Sequence, residues 1–318
     1  MEHTAMQHPI ILHHFDQSPF SEKIRVVLGY KQLAWQSVRI SRIMPRPDLM
    51  PLTGGYRRTP VMQIGADIFC DTQVIVRELE ARFPTPTLFP EGNMGVPWGL
   101  GLWTDRSFFQ NTVNLIFGTL GDRVPQDFIE DRGRLRGAKF DIESMRTTLA
   151  QMRDQFRAHT AWIEAQLSDG RQWLLGAFGL ADVNAYMNVW YTRSNLSEAD
   201  QMLAGVGQVL ARCPHMLGWE KRMRAIGHGS QTELSAEEAL EIAARAEPLT
   251  SILADPGDPN GRQPGDQVSV MPDDYGKVEV SGSIVALSAQ HIAIRRRDDR
   301  VGEVVVHFPR AGYVIRQG

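Results

Sequence analysis

The sequence predicts three regions in series: an α/β domain, an all-α domain and a small all-β module. Three observations carry this reading. Short apolar runs alternate with helical repeats from Pro9 to about Phe83; the apolar period settles to three and four between Phe140 and Leu167; and five short β-rich runs follow a stretch punctuated by Pro256, Gly257, Pro259, Gly261, Pro264 and Gly265.

The run Pro9 to His14 reads as a strand. His13 and His14 alternate on it, so they point to opposite faces, each a satisfied structural histidine rather than a metal ligand. Ser18-Pro19-Phe20-Ser21 then opens a helix whose apolar repeat is Ile24, Val27 and Leu28. A serine N-cap, a proline at the first helical position and free amide N–H groups together stabilise negative charge. Thr59-Pro60-Val61-Met62-Gln63-Ile64 is a short strand entered through a proline, where a cis bond is plausible. Ile68-Phe69-Cys70 leads to Asp71, a natural N-cap, and to a helix from Thr72 through Ile75, Val76, Leu79 and Phe83 that stops at Pro84.

Pro84-Thr85-Pro86 and Pro90-Glu91-Gly92 punctuate a linker. Beyond it, Met145, Leu149, Met152, Phe156, Ile163 and Leu167 repeat as one buried stripe and predict one long helix from Phe140 to Leu167. A second helix follows Gly179, with Asp182 at its third position placed to accept from the cap backbone. Ser235-Ala236-Glu237-Glu238 is a capping box, and Pro248 ends that helix. The closing strands, Val268–Val270, 277–287, 291–295, 303–308 and 313–315, read as a small barrel of SH3 type. About 55 residues bury little alone, so the barrel is expected to dock on the helical body. Arg295-Arg296-Arg297 followed by Asp298-Asp299 reads as a solvated turn.

The strand and helix start at Ser18, the strand proline at Thr59-Pro60 and the second helix start at Asp71-Thr72 resemble, in that order, the glutathione transferase superfamily. The segment from Leu175 to Asp182 resembles that family's buried capping box and extends the likeness to two domains. The resemblance covers about 240 residues. It implies a thioredoxin-like glutathione-binding domain at 9–84 and an all-α domain at 95–248, with the barrel at 265–318 as an addition. It also implies Ser18 as the residue that holds the glutathione thiolate, with Ser21 one turn on as a second candidate. Phe20, Arg58, Thr59, Pro60, Asp71 and Thr72 are the implied glutathione-binding residues, Thr59 pairing with the cysteine backbone and Asp71-Thr72 holding the γ-glutamyl end. The family usually has Glu-Ser where this chain has Asp71-Thr72, and Ser or Thr where it has Gly179. Arg42, Arg46 and Arg57 are further candidates for the glycyl carboxylate. Trp98, Trp103 and Phe108, with Phe109, are placed to line an apolar electrophile pocket, although aromatic residues there are more often core.

Apolar content of 42% and charged content of 22% are those of a soluble globular protein. No apolar run approaches the roughly 20 residues of a membrane helix, and Met1 to Pro9 lacks the apolar core of a secretory signal. A cytoplasmic, membrane-free protein is expected. A formal net charge of −3 gives no reason to invoke nucleic acid. The only cysteines, Cys70 and Cys213, read as reduced buried thiols, and the lack of a Cys-x-x-Cys counts against disulfide exchange. No spacing suggests a metal. The function expected is attack of the glutathione thiol, as co-substrate, on an electrophilic small molecule, by a homodimer. The alternatives are a non-catalytic scaffold on the same fold, or a glutathione-dependent isomerase, dehalogenase or peroxidase.

Overall fold

The computed structural model describes residues 8–248 and 252–318. The stretch read for a secretory signal, Met1 to Pro9, lies outside the described residues as far as Gln7, as do residues 249–251. The first region is β1 (Ile11–His14), α1 (Pro19–Tyr30), β2 (Ala34–Arg39), α2 (Met50–Thr53), β3 (Val61–Ile64), β4 (Asp67–Cys70) and α3 (Thr72–Arg82). β1 pairs with β2 in parallel and with β3 antiparallel, and β3 pairs antiparallel with β4. This is a thioredoxin-like layer. The alternation of His13 and His14 serves two faces: His13 Nε2 meets Gln63 Oε1 at 2.9 Å, and His14 Nε2 meets Ser37 Oγ at 2.9 Å. Burial lowers the pKa of His13 to about 4 and that of His14 to about 3, so both stay neutral.

The helical region comprises α4 (Val96–Leu102), α5 (Phe109–Leu120), α6 (Gln126–Arg136), α7 (Ile142–Thr147), α8 (Leu149–Leu167), α9 (Leu180–Asn195), α10 (Glu198–Leu203), α11 (Val206–Leu210) and α12 (Pro214–Ile226). The single helix expected over 140–167 is two. Its break falls at Thr148, whose backbone (φ −98°, ψ 8°) leaves the helical region while its hydroxyl donates to the carbonyls of Ser144 (2.9 Å) and Met145 (3.2 Å). The stripe survives the break, with Met145, Phe156, Ile163 and Leu167 buried. The cap of α9 is Gly179 rather than Ser or Thr because a Cβ there would stand 2.7 Å from the Leu88 carbonyl oxygen. Asp182 supplies its own half of the capping box and more: it accepts from Gly179 N (3.2 Å), Leu174 N (2.9 Å) and Trp219 Nε1 (2.8 Å).

The chain then returns to the first sheet. β5 (Ser230–Glu233) pairs with β2 in parallel, and α13 (Ala236–Arg245), opened by the Ser235–Glu238 capping box, accepts at Ala239 O from Gln63 Nε2 (2.8 Å). The last module is β6 (Gln267–Pro272), β7 (Val280–Leu287), β8 (His291–Asp298), β9 (Gly302–Pro309) and β10 (Tyr313–Gln317). Its strands form an antiparallel meander with β10 folded back beside β6.

Its seat differs from the expected docking on the helical body. β9 pairs in parallel with β4, so all ten strands join one sheet in the order β10-β6-β7-β8-β9-β4-β3-β1-β2-β5. The open edge of β4 gives a small β-unit backbone partners that a helix surface does not offer. One buried cluster joins Leu52, Tyr56, Ile68 and Leu240 of the body to Ile294, Val304, Val306 and Phe308 of the module. Arg295-Arg296-Arg297 belongs to strand β8 rather than a turn: Arg295 pairs with Glu303, while Arg296 reaches the Pro51 carbonyl and Asp298. No described helix is long and apolar enough to cross a membrane.

Candidate functional site

Two spaces meet at Phe20, Arg58, Thr59 and Tyr275. The larger, about 320 Å³, lies beside the N-terminus of α1 and is walled on its far side by α5, α6 and α9. The smaller, about 70 Å³, lies against Thr59, Pro60, Asp71 and Thr72.

Ser18 lines the larger space and is 2% exposed. Its Oγ accepts from Ser21 N at 3.1 Å, and Glu22 N bonds to its carbonyl, so Pro19 and the N-cap set the first turn as the sequence implies. With one lone pair used for the cap, the hydroxyl proton is left to donate. Ser21 is fully buried behind it; its hydroxyl has no partner among the described residues, and it lines neither space. The Thr59–Pro60 bond is cis. Asp71 caps α3 by accepting from Gln73 N at 2.9 Å, and burial raises its pKa against that amide bond and the Arg58 charge. Thr72 is buried beside it.

The arginines divide by role. Arg46 is buried and donates to the carbonyls of Ser41 (2.8 Å), Arg57 (2.6 Å) and Arg42 (3.2 Å) and to Thr59 Oγ1 (3.0 Å), so it positions the loop before Thr59. Arg57 and Arg132 share the buried carboxylate of Asp131, at 2.6 and 3.2 Å. Arg58 is held by Asp274 and by the Tyr275 carbonyl, with the Tyr275 ring 4.0 Å from its guanidinium.

Trp98, Trp103 and Phe108 lie elsewhere than the expected electrophile pocket. Residues Trp103–Phe108 form a π-helical turn, whose extra residue rotates the following helix and sends Phe108 into the core. Trp103 stacks on Phe108 and donates to His159 Nδ1 at 3.1 Å, while Trp98 packs against Phe89 and under Arg77. Phe109 instead faces the cleft, edge-on to Phe20 at 4.9 Å, and with Val113 and Phe117 it forms an i, i+4, i+8 row along α5. That row was available in the sequence as a helical repeat. The contribution of the last module was not: Asp274, Tyr275 and Tyr313 reach the site across more than 200 residues. Tyr313 Oη donates to Asp71 Oδ2 at 3.1 Å and stands 3.2 Å from Tyr56 Oη. Gly276 N bonds to Leu135 O at 2.7 Å and Arg106 pairs with Asp273 at 2.7 Å, tying the module to the helical side of the opening.

Both cysteines are free and buried, and burial raises the thiol pKa of each. Among the described residues, no group of three or more His, Cys, Asp or Glu side chains could hold a metal ion.

Residues 12–87 match the family described as glutathione S-transferase, N-terminal domain, and residues 120–231 match a domain of unknown function. A GST-like protein from Pseudomonas syringae is 34% identical over 97% of this chain and 100% of its own, with a TM-score of 0.77. The chain belongs to the glutathione S-transferase superfamily. Its likeness to that GST-like protein takes in the last β-module as well as the two family domains, since it spans nearly the whole chain. A Tau class glutathione S-transferase from mango (16% identity, 74% of this chain and 97% of that one, TM-score 0.51) and glutathione transferase F2 from Populus trichocarpa (15%, 68% and 93%, TM-score 0.50) share the fold. No curated protein matches the chain.

Proposed function

We propose that this superfamily member binds glutathione along Thr59, Pro60, Asp71 and Thr72 and presents the thiol to Ser18 for attack on an electrophilic small molecule held in the cleft. The observation that carries the proposal is the position of Ser18: a helix N-cap whose hydroxyl proton is uncommitted, on the wall of the larger space and beside Thr59. The N–H of Phe20, next in the first turn, also makes no hydrogen bond among the described residues. Lowering a thiol pKa from about 8.5 by about two units takes about 2.7 kcal/mol. A hydrogen bond to a charged acceptor supplies about 1.5–3 kcal/mol and a helix N-terminus about 0.3–1 kcal/mol, so Ser18 and the first turn of α1 are sufficient. Ser18 holds the sulfur as thiolate, the Thr59 backbone and Asp71-Thr72 hold the peptide, and the phenyl rings of α5 and α6 exclude water from the second substrate. An isomerase, dehalogenase or peroxidase would use the same thiolate; a screen of electrophiles separates them. A cytoplasmic homodimer belongs to the same proposal.

A second reading, a non-catalytic binding protein on this fold, is favoured by one observation. The last module occupies the groups the peptide would use: Tyr313 on Asp71 and Asp274 on Arg58. Calorimetry with glutathione on the wild-type protein and on Tyr313→Phe distinguishes the two. Binding by the wild type supports the glutathione-dependent enzyme; absence of binding by both proteins supports the second reading.

A further inference from the structure

We infer that the cleft beside Ser18 is built for an organic anion: a small aromatic or alkyl body carrying a carboxylate or phosphate head, with the head held by Arg136. The inference rests on the reading of this cleft as the second-substrate site and names its chemical class. The lining contains seven arginines (Arg42, Arg46, Arg57, Arg58, Arg123, Arg132 and Arg136) and no aspartate, glutamate or lysine. Behind the wall, Asp131 serves Arg57 and Arg132, Asp274 serves Arg58, and Asp200 serves Arg123. Three carboxylates answer seven guanidinium groups, which leaves a surplus of four positive charges (7 − 3) around a space of about 320 Å³.

The surplus is concentrated at one end. Arg136, half-buried, has no hydrogen bond and no carboxylate among the described residues; its guanidinium rests 5.1 Å from the Phe140 ring. Arg42 likewise has only the Phe128 ring, at 4.9 Å. The buried Tyr191 feels the charges of Arg132, Arg42 and Arg136, and its hydroxyl has no hydrogen-bond partner among the described residues. Crowding of like charges is felt as far as Arg46, whose pKa falls to about 10 through burial and then through Arg132 and Arg57. A partly desolvated cation without a counter-charge is costly, and a bound anion removes that cost while using the guanidinium fork. Phe109, Phe117, Phe128 and Phe140 supply the apolar wall for the rest of the ligand. A neutral electrophile would need the rings but not the surplus charge.

The test is a calorimetric titration, without glutathione, using 1-naphthaleneacetate, 1-naphthyl phosphate and the uncharged isostere 1-naphthaleneacetamide. At least one anion is expected to bind about tenfold or more tightly than the amide, the size of one charged hydrogen bond; whichever anion wins identifies the head group. Arg136→Met, checked by thermal melting, should bring the preferred anion to within about twofold of the amide, and Arg136→Lys should recover part of the preference. Equal binding of anions and amide by the wild type, binding of none of the three, or a preference unchanged in a folded Arg136→Met protein would overturn the inference. Because glutathione is absent, these outcomes are independent of whether it binds.

Discussion

Replacing Asp182 by alanine orphans three buried donors at once: Leu174 N, Gly179 N and Trp219 Nε1. At about 1–3 kcal/mol each, the loss is about 6 kcal/mol near the middle of that range. Part of it is offset. Burial, against those same hydrogen bonds, raises the Asp182 pKa from 3.8 to about 6, so holding the carboxylate ionised in place at pH 7 costs about 3 kcal/mol. The net destabilisation expected at pH 7 is therefore about 3 kcal/mol. Its pH dependence has a definite sign. A carboxyl whose folded pKa lies above its unfolded value contributes most below about pH 4 and loses that contribution as pH rises through about 6, so the gap between wild type and Asp182→Ala should widen to about 4 kcal/mol at pH 5. Asp182→Asn keeps an oxygen for the two donors that share Oδ1 and loses only the Gly179 bond, about 1–3 kcal/mol, while escaping the same ionisation cost of about 3 kcal/mol. At pH 7 it should therefore be about as stable as the wild type or up to about 2 kcal/mol more stable, and relative to wild type it should lose about 1 kcal/mol on going to pH 5, as Asp182→Ala does. Urea denaturation at pH 5 and 7 measures all three proteins. An unchanged midpoint in Asp182→Ala, or a gap wider at pH 7 than at pH 5, would refute the reasoning.

Three further outcomes follow from the same structure. His13 and His14, with pKa values near 4 and 3 against 6.5 when unfolded, contribute full stability above about pH 6.5 and lose it as pH falls towards 4; each should cost about 2 kcal/mol by pH 5, and a melting temperature that does not fall between pH 7 and 5 would contradict this. A chain ended at Pro248 should lose its cooperative melt, because Leu52, Tyr56 and Ile68 would lose the cover of Val304, Val306 and Phe308; a truncated protein melting like the full chain would show that the last module is an accessory. Sedimentation equilibrium at micromolar concentration should give a dimer, and a monomer would remove the homodimer from the proposal.

Local chemistry is what the sequence made legible. Ser18-Pro19, Asp71, Ser235 and the Asp182 position carry capping signals that need only neighbours within a turn, and the structure realises each of them. The strands of the last module were likewise visible in their turns and alternation. What stayed hidden depends on long-range pairing. The union of β9 with β4 joins segments more than 200 residues apart, and nothing in either run distinguishes an open edge from a covered one. The approach of Tyr313 and Asp274 to Asp71 and Arg58 follows from that union. The π-turn at Trp103–Phe108 was invisible for another reason: it shifts the helical phase by one residue without changing composition, which exchanges Phe108 for Phe109 at the cleft. The break at Thr148 stayed hidden because no proline or glycine marks it.

The central claim is that Ser18 holds the glutathione thiol as a thiolate. Titrating thiolate absorbance against pH for glutathione bound to wild type, Ser18→Ala and Ser21→Ala tests it most directly, with a parallel denaturation series to separate a local charge effect from loss of the α1 cap. In Ser18→Ala the bound thiol's pKa should rise by about one to two units, or about 1.4–2.7 kcal/mol, while affinity for the peptide changes little and Ser21→Ala titrates like the wild type. Identical titrations in wild type and Ser18→Ala, or a shift confined to Ser21→Ala, would contradict it.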